Sequence, residues 1–394
     1  MNITTTKLKY IFTFSIFLLS IIIFFLIVRN VRTDIQGHNL ILLKQLDNNS
    51  FPIPPLYYFC IYILSGLSTN IVVLNYTSVV FLGFLVAWKY NVTTSYIKKK
   101  LLDNQYHQSK LLPFLVALVL IFIVPIFINY PNDRMYLGKL GINIWHNSTT
   151  ICVMPFVILL YRQSIYFLEN KEINTTNIFL IFIFISLNVL IKPSFLFCFL
   201  PAFILMNLIQ EKKIFTKKYI YVVCIVLFSF LLIFIQYYLI YLSSHYEVLY
   251  AKDTQKGIIF KPFDFFLRYS RNIPLDIFLS LTFPLFFILF FFKEIKNNVE
   301  FQYSFLMLLF ALMLGFLFVE SGKRMTHGNL TWQIPIANYI FYMVNIILFL
   351  QIIIKTSRKH LFQPKFIILY ILCAHHFLSG IYYVVKMIMF RTLN

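Results

Sequence analysis

The chain has 394 residues, of which 60% are hydrophobic, 19% aromatic and only 12% charged, about half the charged share of a soluble globular domain. That balance excludes a cytosolic enzyme. The formal net charge of +20, from 34 Lys and Arg against 14 Asp and Glu, sits mainly in short connections between apolar stretches, where orientation rules and anionic headgroups account for it, so no nucleic-acid partner is expected.

Apolar stretches long enough to cross a hydrocarbon core recur along the chain. The first, residues 9–28, lacks a small-residue cleavage site and reads as a retained span. Residues 29–53 follow as an outer loop. Residues 54–67, after the Pro52-Ile53-Pro54-Pro55 turn, read as a short interfacial or re-entrant helix, with a twelfth span left open there. Further spans are predicted over 70–88, 111–129, 151–168, 177–191, 195–210, 219–242, 275–292, 302–319, 330–353 and 366–388, about eleven in all. The expected fold is all-α and polytopic, one multi-span domain over residues 1–394. The longest outer loop, 243–274, is shorter than the roughly 40 residues a stable soluble domain needs.

Lysines cluster in short connections: Lys98-Lys99-Lys100, Lys212-Lys213, Lys217-Lys218, Lys293 with Lys296, and Lys355 with Arg358 and Lys359. This places the N-terminus and those loops in the cytoplasm. The other face then receives 29–53, 130–150, the break at Lys192-Pro193-Ser194, 243–274 and 320–329. These segments hold Asp34 and His38; Asp133, Arg134, Trp145, His146 and Asn147; Lys192; Arg268 and Arg271; and Glu320, Lys323, Arg324, His327 and Asn329. Chemistry is expected at that interface, between helix ends and loops.

Two readings of Asp34 stand: a solvated loop aspartate paired with Arg32, or a base that takes a proton from an acceptor hydroxyl. The apolar run 177–210 would measure about 51 Å as one helix, so Lys192-Pro193-Ser194 must fold it into a hairpin with Lys192 at its apex. There the ammonium either neutralises a phosphate or snorkels to headgroups. In the 320–329 loop, Arg324 suits two-pronged phosphate binding, Lys323 adds charge, and Glu320 ends an apolar run, where an acid is costly to bury. Trp145-His146-Asn147-Ser148-Thr149 and His327-Gly328-Asn329-Leu330-Thr331-Trp332 both open spans. Capping and the interfacial aromatic belt explain most of each pair, but leave His146 and His327 over as sugar or phosphate donors. Arg268 and Arg271 share one face of a helix expected over 263–272, which either touches headgroups at the interface or lines a lipid-phosphate entrance, the first reading being favoured.

The five cysteines are scattered singly, and neither a Gly-rich phosphate loop nor a dinucleotide fingerprint occurs among only 10 glycines. No cofactor is expected, and the histidines are too dispersed to indicate a divalent metal.

The early outer Asp34, Lys192-Pro193 at the tip of a short helix pair, and the charged Glu320–His327 loop before a late span resemble the GT-C class of membrane glycosyltransferases. That resemblance covers the whole chain and rests on short motifs. It implies an outer-face site using a polyprenyl-phosphate-linked sugar and a glycan or lipid acceptor. Asp34 would be the base; Lys192, Arg324, Lys323 and Arg134 would hold the donor phosphate; His38, Trp145, His146, Asn147, Glu320, His327 and Asn329 would bind the sugars. Two departures stand out: many relatives carry paired acids in the first loop, whereas Ile35 follows Asp34, and no large outer C-terminal domain follows. The Lys-, Asn-, Ile- and Phe-rich composition points to an AT-rich bacterial genome and an inner-membrane setting. Rival readings are a repeat-unit polymerase, a lipid-linked glycan flippase and a membrane scaffold. Scarce mid-span charge weighs against the flippase.

Overall fold

The computed structural model describes residues 5–102, 110–129, 131, 134–170, 172–211, 216–243 and 257–391. Asp133, Lys212-Lys213 and the Lys323 side chain lie outside the described residues. Lipid offers no hydrogen bonds to a bare backbone, so apolar chain crosses it as helix. Nine helices among the described residues are long and apolar enough to do so. The chain is a multi-pass helical membrane protein.

In order, the helices are α1 (Thr5–Asn30), α2 (Asp34–Asp47), α3 (Leu56–Leu64), α4 (Ile71–Leu102), α5 (Leu112–Phe122), α6 (Ser148–Glu169), α7 (Thr175–Ile191), α8 (Ser194–Glu211) and α9 (Lys217–Tyr237). A π-helical turn, Tyr238–Leu242, extends α9. Then come α10 (Asp264–Tyr269), α11 (Ile273–Ile295), α12 (Val299–Leu317), α13 (Gln333–Lys355) and α14 (Pro364–Phe390). Strand β1 (Ile258–Phe260) pairs antiparallel with β2 (Phe318–Glu320), placing Ile258 opposite Glu320.

The long helices alternate in direction, which sorts the connections to two ends of the bundle. At one end, the lysine end, Lys100 pairs with Glu300 and lies 3.6 Å from Glu169, and Lys218 pairs with Glu211 at 2.9 Å. The opposite end carries α2, α3, the chain between α5 and α6, the Lys192-Pro193 break, α10 and the β-pair. Helix α13 is the central post, buried continuously from Gln333 to Phe349. A helix apolar on all sides belongs in the middle of a bundle. Its Asn338 amide, 3.1 Å from the Leu140 carbonyl, ties the post to the irregular segment beside it.

Three differences from the sequence expectation have physical causes. Residues 29–53 contain a helix, because Thr33 and Gln36 form a reciprocal cap at the start of α2. The span expected over 111–129 is helical only to Phe122, and α7, at 17 residues, is also shorter than the nine long spans. Pro125 cannot continue α5, so Ile123–Phe127 runs as irregular chain inside the bundle. Neighbouring helices satisfy that stretch: Ile126 N–H donates to the Leu279 carbonyl at 3.1 Å, Phe127 N–H to Ser379 Oγ at 3.1 Å, and His376 Nδ1 meets the Val124 carbonyl at 2.7 Å. Irregular backbone is tolerated there because protein, not lipid, surrounds it. Finally, the 320–329 loop is built of a strand end and two 3₁₀ turns, and the helix expected over 263–272 covers only Asp264–Tyr269.

Candidate functional site

A cavity of about 600 Å³ opens at the end opposite the lysines. Asp34, His38, Asn147, Lys192, Arg324, His327 and Asn329 all line it. They come from four separate stretches of chain.

Asp34 takes the first position of α2, held there by the Thr33 cap, whose hydroxyl accepts from Ile35 N–H at 3.2 Å. Its partner is Asn147, not Arg32: Asn147 Nδ2 donates to Asp34 Oδ2 at 2.5 Å. Asn147 is itself the N-cap of α6, its Oδ1 accepting from Thr150 N–H at 2.9 Å. That same oxygen accepts from Lys192 Nζ at 3.1 Å. One amide thereby links the carboxylate to the ammonium, and the capping bond fixes which way the amide faces.

Lys192 ends α7 in extended conformation, its backbone N–H bound to the Asn188 carbonyl, and Pro193 prevents the helix from going on. Its ammonium also donates to Thr149 Oγ1 at 3.1 Å and stands 4.3 Å from the centre of the Trp332 ring. Burial pulls the Lys192 pKa down to about 7, against the opposing charge of Asp34. The amine is thus poised between neutral and charged near neutral pH, and an incoming phosphate would favour its charged form.

Arg324 projects from the 3₁₀ turn Gly322–His327. Its Nε lies 2.9 Å from Glu320 Oε1, and its guanidinium lies 5.3 Å from the Tyr241 ring centre. Glu320, 3% exposed, also accepts from the Tyr241 hydroxyl and from Asn329 Nδ2. The acid does not reach the cavity; it anchors three side chains, two of which do. Replacing Glu320 with Gln is expected to cost about 2 kcal/mol, less than the removal of one partner from a fully buried pair, because Arg324 keeps some water. A Tm measured in detergent that does not move would mean Tyr241 holds Arg324 unaided.

The two histidines nearest Asp34 carry no charge near neutral pH. Burial draws His38 down to about 4, with Asp34 pulling up and Lys192 pushing down; its Nδ1 meets the Tyr58 hydroxyl at 2.5 Å. His146 also falls to about 4, again through burial first. It bonds the Tyr383 hydroxyl at 2.8 Å and packs 4.3 Å from the Tyr136 ring, which separates it from the cavity. A neutral imidazole orients hydroxyls but adds no charge against a phosphate.

Several expected residues sit elsewhere. Trp145 is core, stacked on Phe122 at 5.5 Å and beside Phe24 at 5.6 Å. Arg134 donates to the Tyr269 carbonyl at 3.3 Å and covers that ring, so it supports the wall without lining the cavity. Arg268 is neutralised by Asp264 at 2.8 Å, and Arg271 donates to the Pro131 carbonyl at 3.3 Å. Lys139, Tyr58, Tyr136 and Tyr269, which sequence reasoning left out, line the cavity, as do Thr149 and Trp332, read there only as parts of span-opening motifs. Lys139 carried a signal, a lone lysine between two glycines in Gly138-Lys139-Leu140-Gly141.

Asp34 is the only carboxylate among the described residues lining the cavity, against Lys139, Lys192 and Arg324. Aromatic walls complete it. Such a site suits an anion attached to a polyhydroxyl group, with one base at hand. Among the described residues no group of three or more His, Cys, Asp or Glu side chains is placed to hold a metal. No family model matches this chain, nor does any curated protein sequence match it.

Proposed function

We propose that the chain is a membrane glycosyltransferase that moves a sugar from a polyprenyl-phosphate donor to a glycan or lipid acceptor. In this reading the lysine end, with its short basic loops, faces the cytoplasm, and the cavity faces the outer side of a bacterial inner membrane. The observation that carries the reading is the Asp34–Asn147–Lys192 linkage in a cavity that Arg324 also lines. Asp34 Oδ1 accepts no hydrogen bond from the described residues and is the acceptor for the hydroxyl proton. The acceptor oxygen forms the new bond to the anomeric carbon from the face opposite the leaving phosphate, and the bond from that carbon to the phosphate oxygen breaks with its electron pair. The proton stays on Asp34, and polyprenyl phosphate leaves against Lys192 and Arg324, which stabilise its growing charge. Tyr58, Trp332, His327 and Asn329 offer stacking and hydrogen bonds to sugar rings.

The test is mass spectrometry of lipid-linked and finished surface glycans from cells depleted of the protein and complemented with it. A glycan short of one sugar, completed on complementation, is the expected result. Complete repeat units that stay unpolymerised on lipid would replace this reading with a polymerase.

Lys192 sets the pH dependence. The donor phosphate needs the ammonium form, which is lost as pH rises through about 7. Accordingly, kcat/KM for the donor should fall about tenfold per pH unit on the alkaline side. In Lys192→Arg that limb should vanish, since guanidinium keeps its proton. A wild-type profile flat up to about pH 9 would remove Lys192 from phosphate binding.

A further inference from the structure

Helix α4 carries a lysine in its buried middle that the proposed chemistry does not use. Lys89 is 7% exposed; its Nζ donates to Asn143 Oδ1 at 2.6 Å and lies 3.8 Å from the Tyr339 ring centre. No carboxylate among the described residues reaches it. An ammonium inside a membrane bundle ordinarily has an anionic partner or a functional role.

The lysine lines a cavity of about 30 Å³, and two further lining residues, Trp145 and Thr150, each bring a buried polar atom without a hydrogen-bond partner: Trp145 Nε1 and Thr150 Oγ1. The indole N–H is a donor only, and the ammonium has protons beyond the one given to Asn143. Asn143 is already spent, its Nδ2 donating to the carbonyls of Leu120 at 2.8 Å and Ile123 at 2.7 Å. The side chains around this space therefore offer two N–H donor groups and one hydroxyl, and no negative charge. The remaining wall is apolar, with Val86, Ile121, Ile151 and Met154. A water there would satisfy hydrogen bonds but leave the Lys89 charge without a counter-ion. A cation would meet only the ammonium. One ammonium charge calls for one monovalent anion.

We propose that this cavity holds a small monovalent anion of the halide class, the counter-ion of Lys89. It receives hydrogen bonds from Lys89 Nζ, Trp145 Nε1 and Thr150 Oγ1. Ile144 lines both this cavity and the large one, so the two spaces adjoin there. Bound there, the anion neutralises the lysine that, through Asn143, holds the broken end of α5.

The full-length protein, purified in detergent and crystallised in sodium bromide, should give an anomalous bromide peak in contact with Lys89 Nζ. In solution its Tm should rise by several degrees when gluconate is replaced by chloride or bromide at constant ionic strength, and Lys89→Met should lose that response. A cavity holding only water, or a Tm indifferent to halide, would overturn the proposal, as would a halide response that survives in Lys89→Met. If that variant does not fold, the bromide peak in the wild type decides.

Discussion

Asp34→Asn should lower sugar transfer by roughly 10²- to 10⁴-fold, the usual worth of a general base, and leave Tm unchanged. The substitution preserves shape, and its new Oδ1 still accepts from Asn147 Nδ2, so the linkage to Lys192 persists. Basicity and negative charge are what it removes. Because the Asp34 charge holds the Lys192 pKa up against burial, the variant should also move the alkaline limb of kcat/KM to lower pH. This paired result separates a catalytic loss from a structural one: a merely structural role would lower Tm and leave the limb in place. Transfer within a few-fold of wild type would show that the base is another group.

Gly380→Ala should be the most damaging small substitution in the chain. A Cβ at Gly380 would fall on the Phe122 carbonyl oxygen. Flexible side chains can move away, but this neighbour is backbone, at the point where α5 stops. Overpacking that forces backbone shifts costs about 1–3 kcal/mol and sometimes more; here we expect the top of that range, about 3 kcal/mol, with poor recovery of folded protein by size-exclusion chromatography. Gly37→Ala is the control, since nothing lies within 4 Å of its Cβ position, and in the helical α2 it should be neutral or gain up to about 1 kcal/mol. Equal Tm values for the two variants would show that α5 and α14 can part without cost.

Much of this was legible in the sequence because one-dimensional signals were strong. Apolar run lengths located the spans, and Lys192-Pro193 had to break a run too long for one crossing. Asp34 and Arg324 stood out as polar groups beside apolar segments, and the cavity brings them together. What was hidden depended on contacts between distant parts of the chain. Pro125 sits in an unbroken apolar stretch, and only His376, Leu279 and Ser379 make the irregular backbone there tolerable. The role of Glu320 as an anchor needs Tyr241 and Asn329 as neighbours, which no spacing reveals. Trp145 looked like a sugar platform beside a helix start but faces Phe24 and Phe122 in the core. Helix α2 was legible and overlooked: Thr33 and Gln36 are a capping box in plain sequence.

The central position of α13 bears on how the protein is made. The ribosome delivers this helix after every helix described here that surrounds it, except α14. Until then α4, α6, α8 and α12 have no partner for the faces that will enclose it. Three of the residues those faces must receive, Gln333, Asn338 and Asn345, are polar and fully buried in the finished bundle, so lipid is a poor waiting place for the post itself. The earlier helices are therefore expected to pair with one another first and to close around α13 only once it is made. A nascent chain arrested before Gln333 should stay loosely associated and protease-sensitive, because the element that organises the assembly has yet to be translated.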